Sequence, residues 1–487
     1  MEMLDADKLI TARRAIPMPF WLRVQSGSGF PGGLPGGVDV VDMTVSEILR
    51  VLPGKRIVAK ARVHGRTYLI KTFLGRSAQK YAIQEERGMD AVARAGVRCP
   101  RLRWSGTLRG GEGIVLAFDF LDEAHNLLDI WNRAVTDQDK IDVLTRFMII
   151  MARLHAVGVS QSDIHLNNFL LREGKLYAID GGGIQAIGTP LSESASLGNL
   201  ALFFAQLLAR HDDLINVVLP AYEAVREWPR ESGRLARLLS LVAAKRQTRK
   251  RRYIEKAFRE CTRFVCESSF TRFTICDRNA YGPEIQQLLA TPDDVMATGT
   301  LLKDGNSATV ALVHLGDRAL VVKRYNIKNP WHFLRRAGRK SRAWVSWRNA
   351  MRLEFLGIDT LTPVALIEKR MGPLRTTAYL VTEYIPAVDA AEHMRQGIES
   401  VDSAQAIAEI LGELARVQIT HGDMKATNFL MADAGPVLID LDAMHEHSSE
   451  QRFRRAFNKD LDRFMANWKD NPPVKECFQG LIAPLRP

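Results

Sequence analysis

Alternation of apolar and polar residues predicts two β-hairpins, one in each half of the chain. In both places, a run rich in β-branched residues is followed, after a short turn that contains glycine, by a second run of the same kind. Pairs of runs like these are typical of antiparallel hairpins. The first hairpin is predicted from Arg56–Val63 and Thr67–Phe73, and the second from Thr309–Leu315 and Arg318–Tyr325.

The same order of elements follows each hairpin. A helical stretch comes next, then an apolar segment placed to join a small lobe to a larger one, and then a helix with apolar residues at helical spacing. The helical stretches are Gln79–Ala95 and Trp344–Leu356, and the apolar segments are Ile114–Leu121 and Ala378–Ile385. The repeat is one of architecture, and it predicts two related domains.

A short motif also occurs twice, and it points to the chemistry. In each copy an Asp precedes an Asn by five residues, and a second Asp ends an apolar run twelve residues after the Asn. This spacing is the phosphoryl-transfer pattern of protein-kinase-like enzymes, and two copies are far harder to obtain by chance than one. The first Asp–Asn–Asp motif is Asp163, Asn168 and Asp180, and the second is Asp423, Asn428 and Asp440.

Phosphoryl transfer requires a neutralised triphosphate, a hydroxyl aimed in line and a base for its proton. In this pattern Asp163 or Asp423 accepts the hydroxyl proton, and the Asn and the later Asp of each motif hold Mg²⁺ between phosphate oxygens. A strand lysine in each predicted hairpin, Lys71 or Lys323, is expected to contact the phosphates of ATP. A lone strand lysine is usually solvated, so only the complete set in order predicts ATP and Mg²⁺ as cofactors.

The sequence gives only weak evidence for the loop that would cover the phosphates. Each candidate stretch contains a single glycine, Gly54 or Gly305, instead of the glycine-rich pattern of protein kinases. Backbone N–H groups there could cradle phosphate, but an ordinary β-turn explains the sequence equally well.

A chain of 487 residues is too long for one ordinary core, and it divides into two domains of roughly 200 residues each. We predict an α+β fold with two protein-kinase-like bilobal domains in tandem. The predicted divisions are a flexible, glycine- and proline-rich extension over 1–42, a first domain over 43–240, a basic helical linker over 241–290 and a second domain over 291–487.

The formal net charge of +12 indicates an anionic partner or simply solvated basic faces. Two basic stretches with interleaved aromatic residues, Lys245–Arg263 and Lys328–Lys340, favour peripheral contact with an anionic membrane surface. An ordinary linker and a small-lobe insertion explain these stretches equally well. We find no nucleic-acid-binding motif, so no nucleic-acid partner is predicted.

Several absences bear on the expected location. No apolar run approaches the about 20 residues that a membrane-crossing helix needs, and no secretion signal is recognised at the N-terminus. The five cysteines have no paired spacing, which suits reduced thiols better than disulfides or zinc. The expected location is the cytoplasm, with peripheral contact at an anionic membrane surface.

The second half of the chain resembles the bacterial lipopolysaccharide-core sugar kinases, which phosphorylate Kdo or heptose. The likeness is carried by Val-Lys323-Arg-Tyr, Ser-Arg-Ala-Trp, His421-Gly-Asp423 and Leu-Ile-Asp440-Leu-Asp442-Ala-Met. Beyond residue 43, the chain is similar to a tandem-domain branch of that family, usually labelled serine/threonine kinases. The resemblance implies a bilobal kinase-like fold, ATP with Mg²⁺, and a lipopolysaccharide core or other glycolipid as acceptor. It also implies that the anionic surface in contact is the cytoplasmic face of the inner membrane.

The two domains depart from the family pattern in different places. The family has His two residues before the catalytic Asp, and the second domain keeps His421, whereas the first has Gln161. A later helix carboxylate that supports the catalytic loop is expected at Asp460, where the first domain offers Asn199. We therefore expect one domain to be catalytically weaker, and the first is the better candidate.

The partner of the strand lysine also differs between the domains. The helix glutamate that pairs with Lys71 is predicted as Glu86, with its neighbour Glu85 as the alternative, and the second domain has no glutamate at this place.

Two other functions remain open at this stage. One is a protein serine/threonine kinase, which the absence of an Ala-Pro-Glu signature after Asp180 or Asp440 makes less favoured. The other is a non-catalytic scaffold in which one or both domains hold nucleotide.

Overall fold

The protein is described by a computed structural model over residues 2–4, 19–26, 40–108, 113–326, 339–395 and 401–486. The chain forms two compact units. The first unit consists of Met1–Leu207 and His211–Lys245, and the second of Leu208–Arg210 and Arg246–Pro487. Each unit has a small lobe built on an antiparallel sheet and a larger, mainly helical lobe. The predicted α+β fold with two bilobal domains is confirmed.

The small lobe of the first unit is a seven-stranded sheet in the order β1-β2-β3-β4-β5-β7-β6. Strand β2 also pairs with β6, so the strands from β2 onward close on themselves. At this seam a Cβ on Gly106 would lie 2.5 Å from the backbone oxygen of Gln25, which explains the glycine. The strands are β1 (Glu2–Leu4), β2 (Phe20–Ser26), β3 (Val40–Leu52), β4 (Arg56–Val63), β5 (Arg66–Leu74), β6 (Leu102–Leu108) and β7 (Gly113–Asp119), with helix α1 (Ala78–Arg94) between β5 and β6.

The N-terminal segment takes part in this sheet, so the prediction of a flexible extension over 1–42 is wrong for the strands described there. Phe20, Leu22 and Val24 alternate along β2, and their side chains are buried in the core of the small lobe. This spacing of two residues places them on one face of the strand. The glycine-rich run at 27–37 lies outside the described residues.

The larger lobe of the first unit packs around α3, whose Phe147 ring stacks on Phe203 with the centroids 3.8 Å apart. The first catalytic loop, Asp163–Asn168, lies between β9 and β10, directly after α3. The helices are α2 (Leu127–Arg133), α3 (Asp137–Ala156), α4 (Glu193–Phe204), α5 (Asp213–Val225) and α6 (Ser232–Lys256), and α6 contains the boundary between the units. The short strands are β8 (His125–Asn126), β9 (Val159–Gln161), β10 (Phe169–Arg172), β11 (Lys175–Ala178) and β12 (Ile184–Ala186).

The second unit repeats the central sheet. Its order is β13-β14-β18-β19-β17-β16-β15, and the last five strands correspond, from the other end, to β3-β4-β5-β7-β6 of the first unit. Both predicted hairpins, β4–β5 and β16–β17, are confirmed. The strands are β13 (Phe264–Ser268), β14 (Arg272–Asp277), β15 (Thr300–Asp304), β16 (Ala308–Leu315), β17 (Arg318–Tyr325), β18 (Pro363–Met371) and β19 (Leu374–Glu383), with helices α7 (Pro283–Ala290), α8 (Pro292–Ala297) and α9 (Arg342–Leu356).

The predicted linker over 241–290 continues the basic helix to Lys256, then enters this sheet as β13 and β14 and ends in α7. Strands β13 and β14 form a hairpin on β18, and Phe264 and Ile275 are buried there. The prediction was wrong because the short β-branched and aromatic runs after the basic helix were overlooked beside its charge.

The larger lobe of the second unit contains the second catalytic loop, Asp423–Asn428, between β20 and β21. Its helices are α10 (Ala390–Arg395), α11 (Val401–Arg416), α12 (Glu450–Met465) and α13 (Pro472–Ile482), and its strands are β20 (Ile419–Thr420), β21 (Phe429–Ala432), β22 (Gly435–Leu438) and β23 (His445–Glu446). Across the described parts of the chain, we find no helix with the length and apolarity that crossing a membrane demands.

Candidate active sites

The strand lysine of the first unit pairs with a buried glutamate on α1. Lys71 donates to Glu85, and its Nζ lies 2.8 Å from the backbone oxygen of Ile179. Glu85 is fully buried, whereas Glu86 is exposed. The predicted pairing with Glu86 is therefore wrong, because one residue turns a helix by about 100° and moves the side chain off the buried face. The helical spacing of the apolar residues of α1 was the signal that identifies Glu85.

Helix α1 is also fastened to the loop that begins at the second Asp of the motif, which we call the DGGG loop (Asp180–Gly183). Glu85 accepts a hydrogen bond of 3.1 Å from the backbone N–H of Gly181, and Gln84 donates one of 2.6 Å to the oxygen of Gly182. A Cβ on Gly88 would lie 2.0 Å from the Gly181 oxygen, so the helix backbone touches the loop directly.

In the second unit the strand lysine has a different partner. Lys323 donates to Asp440 Oδ1 over 2.6 Å, and its Nζ lies 5.2 Å from the centre of the Tyr325 ring. Ser346 on α9 bonds to the Tyr325 hydroxyl over 3.0 Å, where a helix glutamate would otherwise reach the lysine. Burial acts to raise the pKa of Asp440, but the charge and the hydrogen bond of Lys323, together with Arg342, outweigh burial and hold that pKa below its usual range.

Helix α9 is fastened to its own loop, the DLDAM loop (Asp440–Met444), by an arginine. Arg342 Nε and Nη2 lie 2.7 and 2.5 Å from Asp442 Oδ2, and Asn349 donates to the oxygen of Leu441 over 2.8 Å. Burial, followed by repulsion from Asp440, raises the pKa of Asp442. The sequence contained both Arg342 and Asp442 in the family-like segments, but only the fold shows that they meet.

The predicted Asp and Asn of each catalytic loop come together in the same way. Asn168 Nδ2 donates to the backbone oxygen of Asp163 over 2.7 Å, and Asn428 Nδ2 donates to that of Asp423 over 2.8 Å. In each unit the Asn backbone oxygen accepts from the residue before the second Asp, over 3.0 and 2.9 Å. The five-residue spacing therefore places the base, the amide and the second Asp of each motif around one loop.

A buried carboxylate supports the second catalytic loop. Asp460 accepts from the backbone N–H of His421 over 2.7 Å and from that of Gly422 over 3.0 Å. The His421 ring donates from Nε2 to the backbone oxygen of Ile439 over 2.9 Å. Burial raises the pKa of Asp460, although these backbone amides act in the opposite direction. The loop is thus tied on one side to α12 and on the other to the strand before Asp440.

A neutral amide supports the first catalytic loop. Asn199 donates to the backbone oxygen of Gln161 over 2.7 Å and accepts from its N–H over 3.3 Å. The Asn199 oxygen also lies 3.0 Å from His155 Nε2, so this nitrogen carries the proton, and Nδ1 accepts from Tyr222 over 2.8 Å. His155 is therefore neutral, and the support of the first loop carries no formal charge.

The two candidate bases have different surroundings. Asp423 lies 3.1 Å from Lys425 Nζ and 2.5 Å from Arg463 Nη2, and its side chain is 30% exposed. Asp163 is 80% exposed, and the His165 ring nitrogen Nε2 lies 3.7 Å from it. The second unit therefore holds its base more firmly than the first.

The second unit fits a magnesium ion bound through phosphate. Among the residues that the structure describes, no group of three or more His, Cys, Asp or Glu forms a metal centre. A kinase site needs no such cluster, because Mg²⁺ takes phosphate oxygens and water as further ligands. Asn428 uses its NH₂ group on Asp423, which leaves its oxygen, together with the Asp440 carboxylate, as hard donors of the kind Mg²⁺ prefers.

The glycines of the two candidate phosphate loops lie in tight turns. Gly54 has a φ of +66°, and the next residue, Lys55, donates to the oxygen of Leu52 over 3.0 Å. Gly305 donates to the oxygen of Ala308 over 3.1 Å. These bonds are those of hairpin turns, and contact of either glycine with phosphate stays a prediction.

Comparison with known proteins agrees with the site of the second unit. Residues 297–477 match the lipopolysaccharide kinase (Kdo/WaaP) family. The matched segment contains Lys323, Asp423, Asn428 and Asp440, so the family resemblance predicted from the motifs is confirmed for this unit.

One curated relative and one solved structure were compared. The chain is 29% identical over 129 residues to the lipopolysaccharide core heptose(I) kinase WaaP of Pseudomonas aeruginosa, which is 24% of this chain and 48% of that protein. The chain therefore spans about half the length of this relative. The PknI kinase domain of Mycobacterium tuberculosis is 18% identical and aligns with a TM-score of 0.26, over 35% of this chain and 74% of that one. The fold assignment rests on the order of strands and helices, because so low a score carries no weight.

The Arg342–Asp442 pair should be measurable through stability. Arg342→Ala leaves a nearly buried carboxylate beside Asp440, so we expect the second unit to lose about 1–3 kcal/mol of unfolding free energy. Adding Asp442→Asn should recover most of this loss, because the unpaired charge is removed. Urea unfolding followed by tryptophan fluorescence measures both, with the exposed Arg339→Ala as control. Equal stability of the single and double variants would contradict the pairing.

The buried His155 predicts a pH dependence in the first unit. Burial is the main cause that lowers the pKa of His155 from 6.5 to about 4; Arg226 adds to this effect, and the Asn199 hydrogen bond opposes it. Because the folded pKa is depressed, the neutral ring's contribution is complete above pH 6.5 and is lost as pH falls toward 4. We expect a loss of up to about 3 kcal/mol over that range.

This dependence is isolated by comparing unfolding free energies of the parent chain and His155→Gln at a series of pH values. Their difference should shrink as the pH falls, because only the parent must protonate a buried ring. The same substitution at the exposed His125 should leave the parent profile unchanged. A constant difference across the range would show that His155 does not titrate as described.

Proposed function

We propose that the protein is an ATP-dependent phosphotransferase whose second unit transfers the γ-phosphate to a sugar hydroxyl of the lipopolysaccharide core. One observation carries the proposal: within the segment that matches the family, Lys323 and the second Asp–Asn–Asp motif are assembled around a loop that Asp460 supports. The similarity to a heptose(I) kinase suggests a heptose as acceptor, and Kdo or another glycolipid sugar is the alternative.

The chain's own residues supply positioning and proton transfer. In this proposal Asp423 would accept the proton of the attacking hydroxyl, as that oxygen bonds to the γ-phosphorus and the bond to ADP breaks. Lys425, 3.1 Å from this carboxylate, is close enough to balance charge on the transferred group. Lys323 would contact the α- and β-phosphates, and Mg²⁺ held by Asn428 and Asp440 would neutralise the phosphate oxygens.

The absence of a helix glutamate is compatible with this mechanism. Lys323 is held by Asp440, and α9 is held to the DLDAM loop by Arg342. A glutamate on the helix normally performs both tasks. In this unit they are divided between two other ion pairs, so the helix and the lysine each retain a defined position.

The catalytic assignment is tested by two equivalent substitutions. We expect Asp423→Asn to lower phosphate transfer by ~10²–10⁴-fold, because a general base is lost. Asp163→Asn should leave most activity, because the first unit holds its base loosely. Transfer of labelled γ-phosphate from ATP to purified core glycolipid is the measurement, with the exposed Asp433→Asn as control. If the Asp163 variant were inactive and the Asp423 variant normal, the roles of the units would be reversed.

The acceptor is identified in the same assay. Glycolipids with heptose and with Kdo as the terminal sugar are compared with an unfolded protein rich in serine and threonine. Transfer to the protein alone would favour a protein kinase. Nucleotide binding without transfer to any of these acceptors would favour a non-catalytic scaffold.

We also propose that the protein acts at the cytoplasmic face of the inner membrane, where a glycolipid acceptor would be presented. The aromatic side chains of the basic stretch pack against the protein: Phe258 stacks on Trp344 at 4.4 Å, and Tyr253 donates to Glu354 over 2.8 Å. The proposal is therefore supported by charge alone. Residues 328–338 of the second basic stretch lie outside the described residues. In the first basic stretch, the exposed cations that belong to the second unit are Arg249, Arg251, Arg252, Lys256 and Arg259.

Anionic vesicles test this attachment. Each basic side chain near such a surface contributes about 1 kcal/mol, and salt weakens the effect. Replacing Arg251, Arg252, Lys256 and Arg259 by Gln should therefore release the protein from the vesicles at low salt. The matched control replaces four exposed cations of α12: Arg452, Arg454, Arg455 and Lys459. Equal release by both sets, or no binding at low salt, would refute attachment through this helix.

A further inference from the structure

The nucleotide cleft of the first unit contains an arginine that the motifs did not predict. The cleft has a volume of about 610 Å³ and is lined by Lys71, Asn168 and Asp180, and also by Arg56. Arg56 is the first residue of β4, and its side chain is only 16% exposed. Its guanidinium lies 3.8 Å from Glu85 Oε2 and 3.9 Å from Asp180 Oδ2. Arg56 thus stands between the helix carboxylate and the carboxylate predicted to hold metal.

The second unit has no cation at the equivalent position of the strand. Arg56 pairs across the hairpin with Phe73, two residues after the strand lysine of the first unit. The residue in the same register of the second unit is Ala308, which pairs with Tyr325, two residues after its strand lysine. An arginine at this strand position is therefore specific to the first unit, and in the second unit the guanidinium beside Tyr325 comes from Arg342 on α9, 5.0 Å from the ring.

The carboxylate of the first unit is already engaged on both oxygens. Asp180 Oδ1 accepts from the backbone N–H of Gly182 over 3.0 Å, and Oδ2 faces Arg56. The rest of the DGGG loop is glycine, so it offers no second carboxylate, whereas the DLDAM loop of the second unit has Asp442. Burial acts to raise the pKa of Asp180, but Lys71 and then Arg56 outweigh it and lower that pKa.

The charges of the cleft suit a polyphosphate without a metal ion. Arg50, Arg56 and Lys71 line the cleft, and Glu85 is fully buried against Lys71 and does not line it. Of the lining carboxylates, Asp119 is paired with Arg103 over 2.6 Å. Apart from the paired Asp119, the three lining cations therefore face one acid of the cleft, Asp180, whose partner is Arg56. A guanidinium binds phosphate oxygens with parallel hydrogen bonds and does the charge neutralisation that Mg²⁺ does elsewhere.

We infer that the first unit binds a nucleoside di- or triphosphate through Arg56 and Lys71 without a divalent metal, and that it serves as a nucleotide-binding domain and not as a second catalytic centre. The predicted metal role of Asn168 and Asp180 is thereby replaced by an arginine contact. The inference rests on the proposed nucleotide cleft of the first unit, and the exposed, loosely held Asp163 agrees with it.

The test uses the full chain with the second site disabled by Lys323→Met and Asp440→Asn, which removes both charges of one ion pair. ADP and ATP are titrated calorimetrically with Mg²⁺ and with EDTA. One nucleotide per chain should bind, with dissociation constants in the two conditions within about threefold of each other. Adding Arg56→Ala should weaken binding in EDTA by at least about tenfold and restore a dependence on Mg²⁺.

The controls separate this inference from the proposed function. Arg62→Ala removes an exposed arginine from the same strand and should not change either dissociation constant. Arg56→Lys keeps the charge without the paired donors and should give an intermediate affinity. Binding that EDTA abolishes, or binding in EDTA that Arg56→Ala leaves unchanged, would overturn the inference while the nucleotide site stands. No nucleotide binding under any condition would contradict both the inference and the nucleotide site of the first unit.

Discussion

A carboxylate removed from water is stable only beside a cation or backbone amides, and this constraint organises both clefts. In the first unit the buried acid is Glu85 on the helix, and Lys71 and a loop amide satisfy it. In the second unit the buried acid is Asp442 on the loop, and Arg342 on the helix satisfies it. In the first unit the helix supplies the acid, and in the second unit the helix supplies the cation. In each case this helix side chain fastens the small-lobe helix to the loop that follows the motif.

This exchange explains why the two units can share a fold and differ in chemistry. When the helix supplies the acid, the strand lysine is committed to it and the loop can consist of glycine, as in the DGGG loop. In the second unit the loop supplies the acid. Asp442 is then a second carboxylate near Asp440, and the strand lysine Lys323 donates to Asp440 itself. The second arrangement concentrates oxygen donors where Mg²⁺ would bind, whereas the first leaves a cleft dominated by Arg56 and Lys71.

The side chains that support the two catalytic loops also differ between the units. Asp460 is charged and accepts from two consecutive backbone N–H groups of the second loop, which fixes the peptide just before the base. Asn199 is neutral, and it both donates to and accepts from a single residue of the first loop. Charge-assisted hydrogen bonds are roughly twice as strong as neutral ones. The second catalytic loop therefore has the stronger support, and the residues next to it also favour the binding of metal and phosphate.

The sequence by itself determined the repeat, the bilobal fold and the members of each Asp–Asn–Asp motif, because strand alternation and fixed motif spacing are local properties. Helical spacing was also sufficient to choose Glu85 over Glu86, although the first prediction chose the neighbour. The buried strand at Phe20–Ser26 and the hairpin after the basic helix were missed, since a neighbouring glycine-rich or charged run masked a short apolar signal. The contacts of Arg56 with Asp180 and of Arg342 with Asp442 join residues more than 90 positions apart. Only the tertiary structure decided them, because which cation meets a buried acid depends on the register of the sheet and the docking of a helix.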